Sequence, residues 1–196
     1  MKTRNHPAVD LALVAVFAAL IAVCTVVGGV ELPFGVALTL QTLGVVLTGL
    51  VLGPWRGFLA VLLYLVVGFA GLPIFSEGSG GLGVLASPSM GYLLAFPFGA
   101  LAAGALAALS VRRGLKGRYI WITLSGLVAS LIVIGIPGIV GMSVIAQVDL
   151  VTAFIWNLAF VPGDAIKCVI AGIIAAAVNK AFPALLAAPQ PAAISA

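Results

Sequence analysis

In FVPGDAIKCVIAG, Phe160 to Gly172, a carboxylate and an ammonium, Asp164 and Lys167, stand three residues apart in an otherwise apolar run. An ionisable side chain at the centre of a bilayer costs about 2.5 to 3.5 kcal/mol on insertion scales, so its presence there calls for a partner or a role. Positions i and i+3 of a helix share a face, and the two groups can pair. A structural ion pair is one reading. A ligand site is favoured over it, because a pair kept only for structure is replaceable by apolar residues at little cost. Pro162 and Gly163 just before the pair start or kink a helix, which puts Asp164 in a first turn, where the helix dipole favours a carboxylate.

The other polar residues inside apolar runs are Thr39, Gln41 and Thr42 in ALTLQTLG, Tyr92, and Asn157. Singly each is ordinary: a buried Thr often bonds its own backbone, and Tyr often marks a membrane interface. All fall near the outer ends of their spans, and this common depth is the stronger sign that they converge with Asp164 and Lys167 on one cavity. The chain has no G-x-x-x-x-G-K-[ST] loop, no G-x-S-x-G elbow and no HExxH, and its single histidine, His6, is read as a solvated tail residue. No catalytic residue is assigned and no metal site is expected. Cys24 and Cys168 lack the clustering that a metal or redox site needs and are read as packing residues. Any pumping would need an external ATPase.

Such residues must be held by membrane elements. Of 196 residues, 63% are hydrophobic, only nine are Lys or Arg and five Asp or Glu, and the mean hydropathy is +1.32. These values exclude a soluble globular protein. The alternation of a membrane barrel is missing, and a crossing of roughly 30 Å needs about 20 apolar helical residues. The net charge of +4 does not imply nucleic acid, because the basic residues stand singly or in one short loop. The N-terminal apolar run lacks a signal cleavage site and is read as a retained helix.

Breaking the apolar runs at charges, Pro and Gly clusters predicts spans at about Ala8 to Val30, Val36 to Leu52, Gly57 to Leu72, Gly91 to Val111, Tyr119 to Val140 and Thr152 to Lys180. The second and third, separated by LGPWRG, form a tight hairpin. With a cytoplasmic N-terminus, Lys2, Arg4, Arg56, Arg112, Arg113, Lys116, Arg118 and Lys180 lie inside, while the outer connectors hold Glu31, Glu77 and Asp149 and no Lys or Arg. The expected fold class is therefore an all-α integral membrane protein of six transmembrane helices with both termini cytoplasmic. It is read as one polytopic domain, with 1–7 a cytoplasmic tail, 8–180 the core and 181–196 a flexible tail. Asp164, sixteen residues before Lys180, lies roughly 24 Å from the inner end, in the outer half.

Above it, the outer connector PIFSEGSGGLGVLASPSM, Pro73 to Met90, cannot leave its backbone unsatisfied in lipid. Its apolar members Ile74, Phe75, Leu82, Val84 and Leu85 favour a packed lid, whose glycines Gly80 and Gly81 are read as supplying backbone bonds to a bound ligand. On the first span, Ala12, Ala15, Ala19 and Ala22 give small-residue spacings that let another helix approach closely in lipid; internal packing and a partner are equally compatible with them.

In order along the chain, LPFGVALTLQTLGVVLTGLVLGPWRG, YLVVGFAGLPIFSEGSGG, SPSMGYLLAFPFG and FVPGDAIK resemble BioY, the biotin-specific substrate-binding subunit of energy-coupling factor (ECF) transporters. The similarity runs from Pro33 to Lys167, and the TLQTL, LGP and PGDxxK elements are specific in combination. The resemblance implies a six-helix protein of the prokaryotic cytoplasmic membrane, without cofactor or ATPase of its own. It would capture biotin on the outer face and release it inward when a transmembrane coupling subunit and two ATPase subunits reorient it. Asp164 and Lys167 match the family's acidic and basic positions beside biotin, Tyr92 its GY tyrosine, and Ala15 and Ala19 its docking surface. Two departures stand out: Ser89 and Met90 replace the usual residues before GY, and Glu77 sits in the lid where small residues are common.

Biotin's ureido head has two N–H donors and one carbonyl, which a carboxylate and an ammonium complement, and its apolar remainder suits a pocket lined by Phe34, Phe75, Leu82 and Trp156. A sister subunit for riboflavin or thiamine and a proton-coupled secondary transporter are the rivals. Six spans without paired broken helices in the two halves argue against the latter.

Overall fold

The computed structural model describes residues 7–27 and 29–186. Its helices are α1 (Pro7–Val26), α2 (Gln41–Leu52), α3 (Pro54–Phe69), α4 (Met90–Arg112), α5 (Arg118–Val128), α6 (Gly135–Ala146), α7 (Leu150–Leu158) and α8 (Val161–Ala181). A π-helical turn, Ala129–Ile134, joins α5 to α6 as one 29-residue rod, Arg118–Ala146. Among the described residues, α1, α4, this rod and α8 are long and apolar enough to cross a membrane; α2 and α3, of 12 and 16 residues, are shorter.

Several expected boundaries shift for identifiable reasons. The second span begins at Gln41, because Val36 to Leu40 instead contributes β2 (Ala37–Leu38), paired antiparallel with β1 (Val30–Glu31). The two-residue strands are joined through a turn in which Gly35 has φ +74°, and an apolar run alone does not distinguish strand from helix. The third helix starts earlier, at Pro54, since Gly53 at φ +81° turns the chain so sharply that Pro54 can begin the next helix at once. The fifth span continues to Ala146.

The sixth is two helices. Pro162 has no N–H to continue α7, and it sits instead in the first turn of α8, where that hydrogen is not needed. Asp149 caps α7, accepting from the amides of Val151 and Thr152 at 2.9 and 3.0 Å and from the Thr152 hydroxyl at 2.6 Å. That hydroxyl, more than any other group, holds the Asp149 carboxyl below its ordinary range. The expected C-terminal tail begins as packed chain: Leu186 is buried, and the Leu185 carbonyl accepts from Arg56 at 3.5 Å. The rest of it, 187–196, and the N-terminal residues 1–6 lie outside the described residues.

Helix α4 is the hub, packed against α2, α3, the α5–α6 rod and its π turn, while α8 packs on α2 and α5, and α1 on α2 and α3. Small residues permit this. A Cβ on Gly49 of α2 would overlap the Ala100 carbonyl oxygen of α4, so these backbones touch. Gly49→Leu is expected to cost about 3 kcal/mol or more by overpacking, read as a lower unfolding temperature in detergent. Gly83→Ala, whose added methyl meets no atom within 4 Å, serves as the control that should unfold like the parent.

At one end, Arg56 in the first turn of α3 pairs with Asp10 of α1 at 2.9 Å, and Arg118 at the start of α5 donates to the Asn179 carbonyl near the end of α8 at 3.4 Å. The lid and the α7–α8 break lie at the other end.

Candidate functional site

At that second end, α2, α4, the π turn and α8 enclose a cavity of about 50 Å³, room for a few water molecules. Each wall follows from a local device. The α7–α8 break starts a helix just before Asp164, so the carboxylate enters from a first turn. The π turn, a feature frequent at functional sites, aims Ser130, Leu131 and Ile134 at the same space. β2 and the first turn of α2 supply Thr39, Gln41 and Thr42, and the start of α4 supplies Tyr92. The lid contributes Ser76 and Ser89.

The ion pair forms: Lys167 Nζ lies 3.0 Å from Asp164 Oδ1, with the two side chains only 10% and 16% exposed. The other carboxylate oxygen, Oδ2, accepts from the Ser130 hydroxyl at 3.5 Å. Lys167 has three N–H donors and Asp164 several acceptor positions, so the pair does not exhaust either group. Across the cavity the Tyr92 hydroxyl donates to Asn157 Oδ1 at 2.8 Å, its ring packed against Gly138, where any Cβ would overlap it. Gln41 donates to the Tyr64 hydroxyl at 2.7 Å, and its own amide N–H donates to Thr39 Oγ1 at 3.1 Å.

Of the residues singled out from sequence, Asp164, Lys167, Tyr92, Gln41, Thr39 and Asn157 line this one cavity. Phe34 and Trp156 do not. They stack on each other with centroids 5.1 Å apart, and Phe34 meets Phe160 edge-on at 5.9 Å, so they back the wall that Phe160 presents. Gly80 lines a second, outer space of about 430 Å³ between the lid and the β1–β2 turn, which shares Ala37, Ser76 and Ser89 with the cavity; Gly81 lines neither. Among the described residues no group of three or more His, Cys, Asp or Glu could hold a metal ion.

The lid is packed, but not by all the expected residues. Phe75 is buried and fills the notch left by Gly68, against Tyr64 and Phe69, whereas Leu82 points outward, 68% exposed. Gly81 enters through its backbone, donating to the Gly68 carbonyl at 2.8 Å. Charge and spacing in the sequence do not single out Tyr64, Ser130 or Phe160. A lone phenol in the middle of an apolar span is the available signal for Tyr64, because a buried hydroxyl needs a partner.

The docking alanines sit on one side of α1. Ala12, Ala15 and Ala19 are exposed and Ala22 is half-buried, while Val14, Ala18, Ile21 and Thr25 face the protein.

Comparison with known proteins agrees with this architecture. The model of the BioY family matches residues 1–184. A biotin transporter BioY of Rhizobium etli is 38% identical over 179 residues, covering 90% of this chain and 96% of that protein. One from Rhodobacter capsulatus is 36% identical, covering 91% and 97%. The crystal structure of the S-component for biotin from an ECF-type ABC transporter superposes with a TM-score of 0.84 at 27% identity, over 92% of this chain and 95% of that one.

Proposed function

The chain belongs to the BioY family, a family of transporter components rather than enzymes, and from that membership we propose that it is the biotin-binding S-component of an ECF transporter. It captures biotin with high affinity at the outer face of a prokaryotic cytoplasmic membrane. Release to the inside follows when a coupling subunit and two ATPase subunits reorient it. In this reading α1, α2, α3, α4, the α5–α6 rod and the α7–α8 pair make six crossings with both termini inside. The gathering of Arg56, Arg118 and the end of α8 at one end, away from the lid, supports that orientation.

The observation that carries the proposal is the Asp164–Lys167 pair in the wall of a lidded cavity. The free acceptor positions of Asp164 take the ureido N–H groups, and the remaining Lys167 donors take the ureido carbonyl. Phe160, Phe96 and Ile134 supply apolar wall for the rings, and Tyr92 with Asn157 adds polar contacts beside them. The valeryl chain extends toward the outer space lined by Ser76, Ser79 and Ser87. Because the cavity holds only a few water molecules, the lid moves outward to admit the bicycle.

The purified protein is expected to bind biotin, with mass spectrometry showing biotin as the ligand that co-purifies. Displacement of radiolabelled biotin by riboflavin or thiamine, or uptake into liposomes driven by a pH gradient without ATPases, would overturn the assignment.

A further inference from the structure

The Tyr64 hydroxyl joins three elements of the fold, and its proton cannot serve all of them. Tyr64 is 1% exposed in the middle of α3. Its oxygen accepts from Gln41 Nε2 at 2.7 Å, so a cavity residue is tied to it. That leaves one proton and two candidate acceptors at the same distance of 3.2 Å: the Ile74 carbonyl at the base of the lid, and Thr25 Oγ1 on α1. Thr25 cannot be the donor without giving up its own bond, because its hydroxyl already donates to the Ile21 carbonyl at 2.8 Å.

We propose that Tyr64 and Thr25 are positioning residues that set the rate of ligand entry and release, the phenol proton latching the lid through Ile74 when closed and transferring its hydrogen bond to Thr25 when the lid opens. The physical basis is the cost of an unmade bond. A buried hydroxyl that loses its acceptor loses the whole bond, so a lid held only by Tyr64–Ile74 would open rarely. Thr25, buried at 2% exposure and already in place, accepts the phenol's hydrogen bond as the lid leaves and lowers that cost. Two further lid contacts, Phe75 against Gly68 and the Gly81 amide on the Gly68 carbonyl, are made to the same helix, α3.

This inference rests on the reading that the cavity takes its ligand past the lid, but its signature is visible without ligand. Tyr64→Phe keeps the ring that meets Phe75 edge-on at 5.4 Å and removes only the hydroxyl. Hydrogen exchange at the lid amides, above all Gly81, whose N–H bonds the Gly68 carbonyl of α3, measured on the ligand-free protein in lipid nanodiscs, should then quicken about tenfold, the factor that one net hydrogen bond represents. Thr25→Val is similar in shape and removes the second acceptor, so the same amides should exchange several-fold more slowly. Thr25→Ser keeps the acceptor and should restore the parental rate. Biotin dissociation should follow the same order, fastest in Tyr64→Phe and slowest in Thr25→Val.

A merely structural role would move both variants in the same direction, and that result, or unchanged exchange in both, overturns the latch. Should Tyr64→Phe not fold, Thr25→Val against Thr25→Ser still decides it. If the parent protein binds no biotin while lid exchange shifts in opposite directions, the latch stands and the ligand assignment falls.

Discussion

Lys167→Met is expected to weaken biotin binding by more than about a hundredfold and to destabilise the protein, whereas the double variant Lys167→Met with Asp164→Asn recovers the stability but not the affinity. The two halves of this result have different causes. Removing one member of an ion pair whose side chains are only 10% and 16% exposed leaves the other charged and almost dry, which costs about 3 to 5 kcal/mol. Removing both charges takes away the desolvation penalty together with the attraction, and such replacements are close to neutral or stabilising. Binding obeys a different rule. The ureido head then faces an amide and a thioether in place of a carboxylate and an ammonium, and losing two charge-assisted hydrogen bonds is worth about 3 to 4 kcal/mol, some two to three orders of magnitude in Kd. Thermal unfolding and titration with biotin on the three proteins separate these effects. Parental affinity in the double variant would mean that Asp164 and Lys167 touch only each other.

That pair is legible in the sequence because charge in an apolar run is expensive and therefore conspicuous. The expected first-turn position also holds: Asp164 lies in the first turn of α8, the helix that ends just past Lys180, and Tyr92, Gln41, Thr39 and Asn157 share its cavity. What hydropathy does not encode is which apolar residues face a cavity and which face each other. Phe34 and Trp156 bury their rings as well by stacking on one another as they would against a ligand, so their composition could not choose between the two. The strand at Ala37–Leu38 and the π turn at Ala129–Ile134 are hidden for a related reason. Both lie in runs whose apolar character satisfies any secondary structure, and long-range pairing with Val30–Glu31 or packing on α4 decides the outcome. Tyr64 is hidden because a phenol carries no charge to mark it, although its hydroxyl meets partners from α1, α2 and the lid.

The other large effect should appear in transport and spare binding. Ala15→Trp and Ala19→Trp are expected to leave biotin affinity within about twofold of the parent while reducing uptake by the complete transporter more than about tenfold. The first half follows from position. Ala15 and Ala19 lie on the exposed side of α1, and the residues by which that helix holds the core, Val14, Ala18, Ile21 and Thr25, are turned away from them. An indole there meets lipid in the isolated subunit and costs the fold little. The second half follows from how helices associate in a bilayer, where no hydrophobic force draws them together and close backbone approach over small residues supplies most of the contact. Of the four long apolar helices α1 is the least buried, 22% of its span against 56% for α4, so it has the most surface left for another helix to cover. A tryptophan at Ala15 or Ala19 holds an approaching helix off the backbone and removes those contacts together. Ala22, half-buried where the face turns into the protein, should be the less sensitive position, and Ala12, exposed nearer the N-terminal end, should behave like Ala15. The measurement is paired: biotin titration of each purified variant, and ATP-driven biotin uptake after reconstitution with the coupling subunit and ATPases. Full uptake in both tryptophan variants would remove the alanine face of α1 from the docking surface, and lost binding in either would show that the face supports the fold instead.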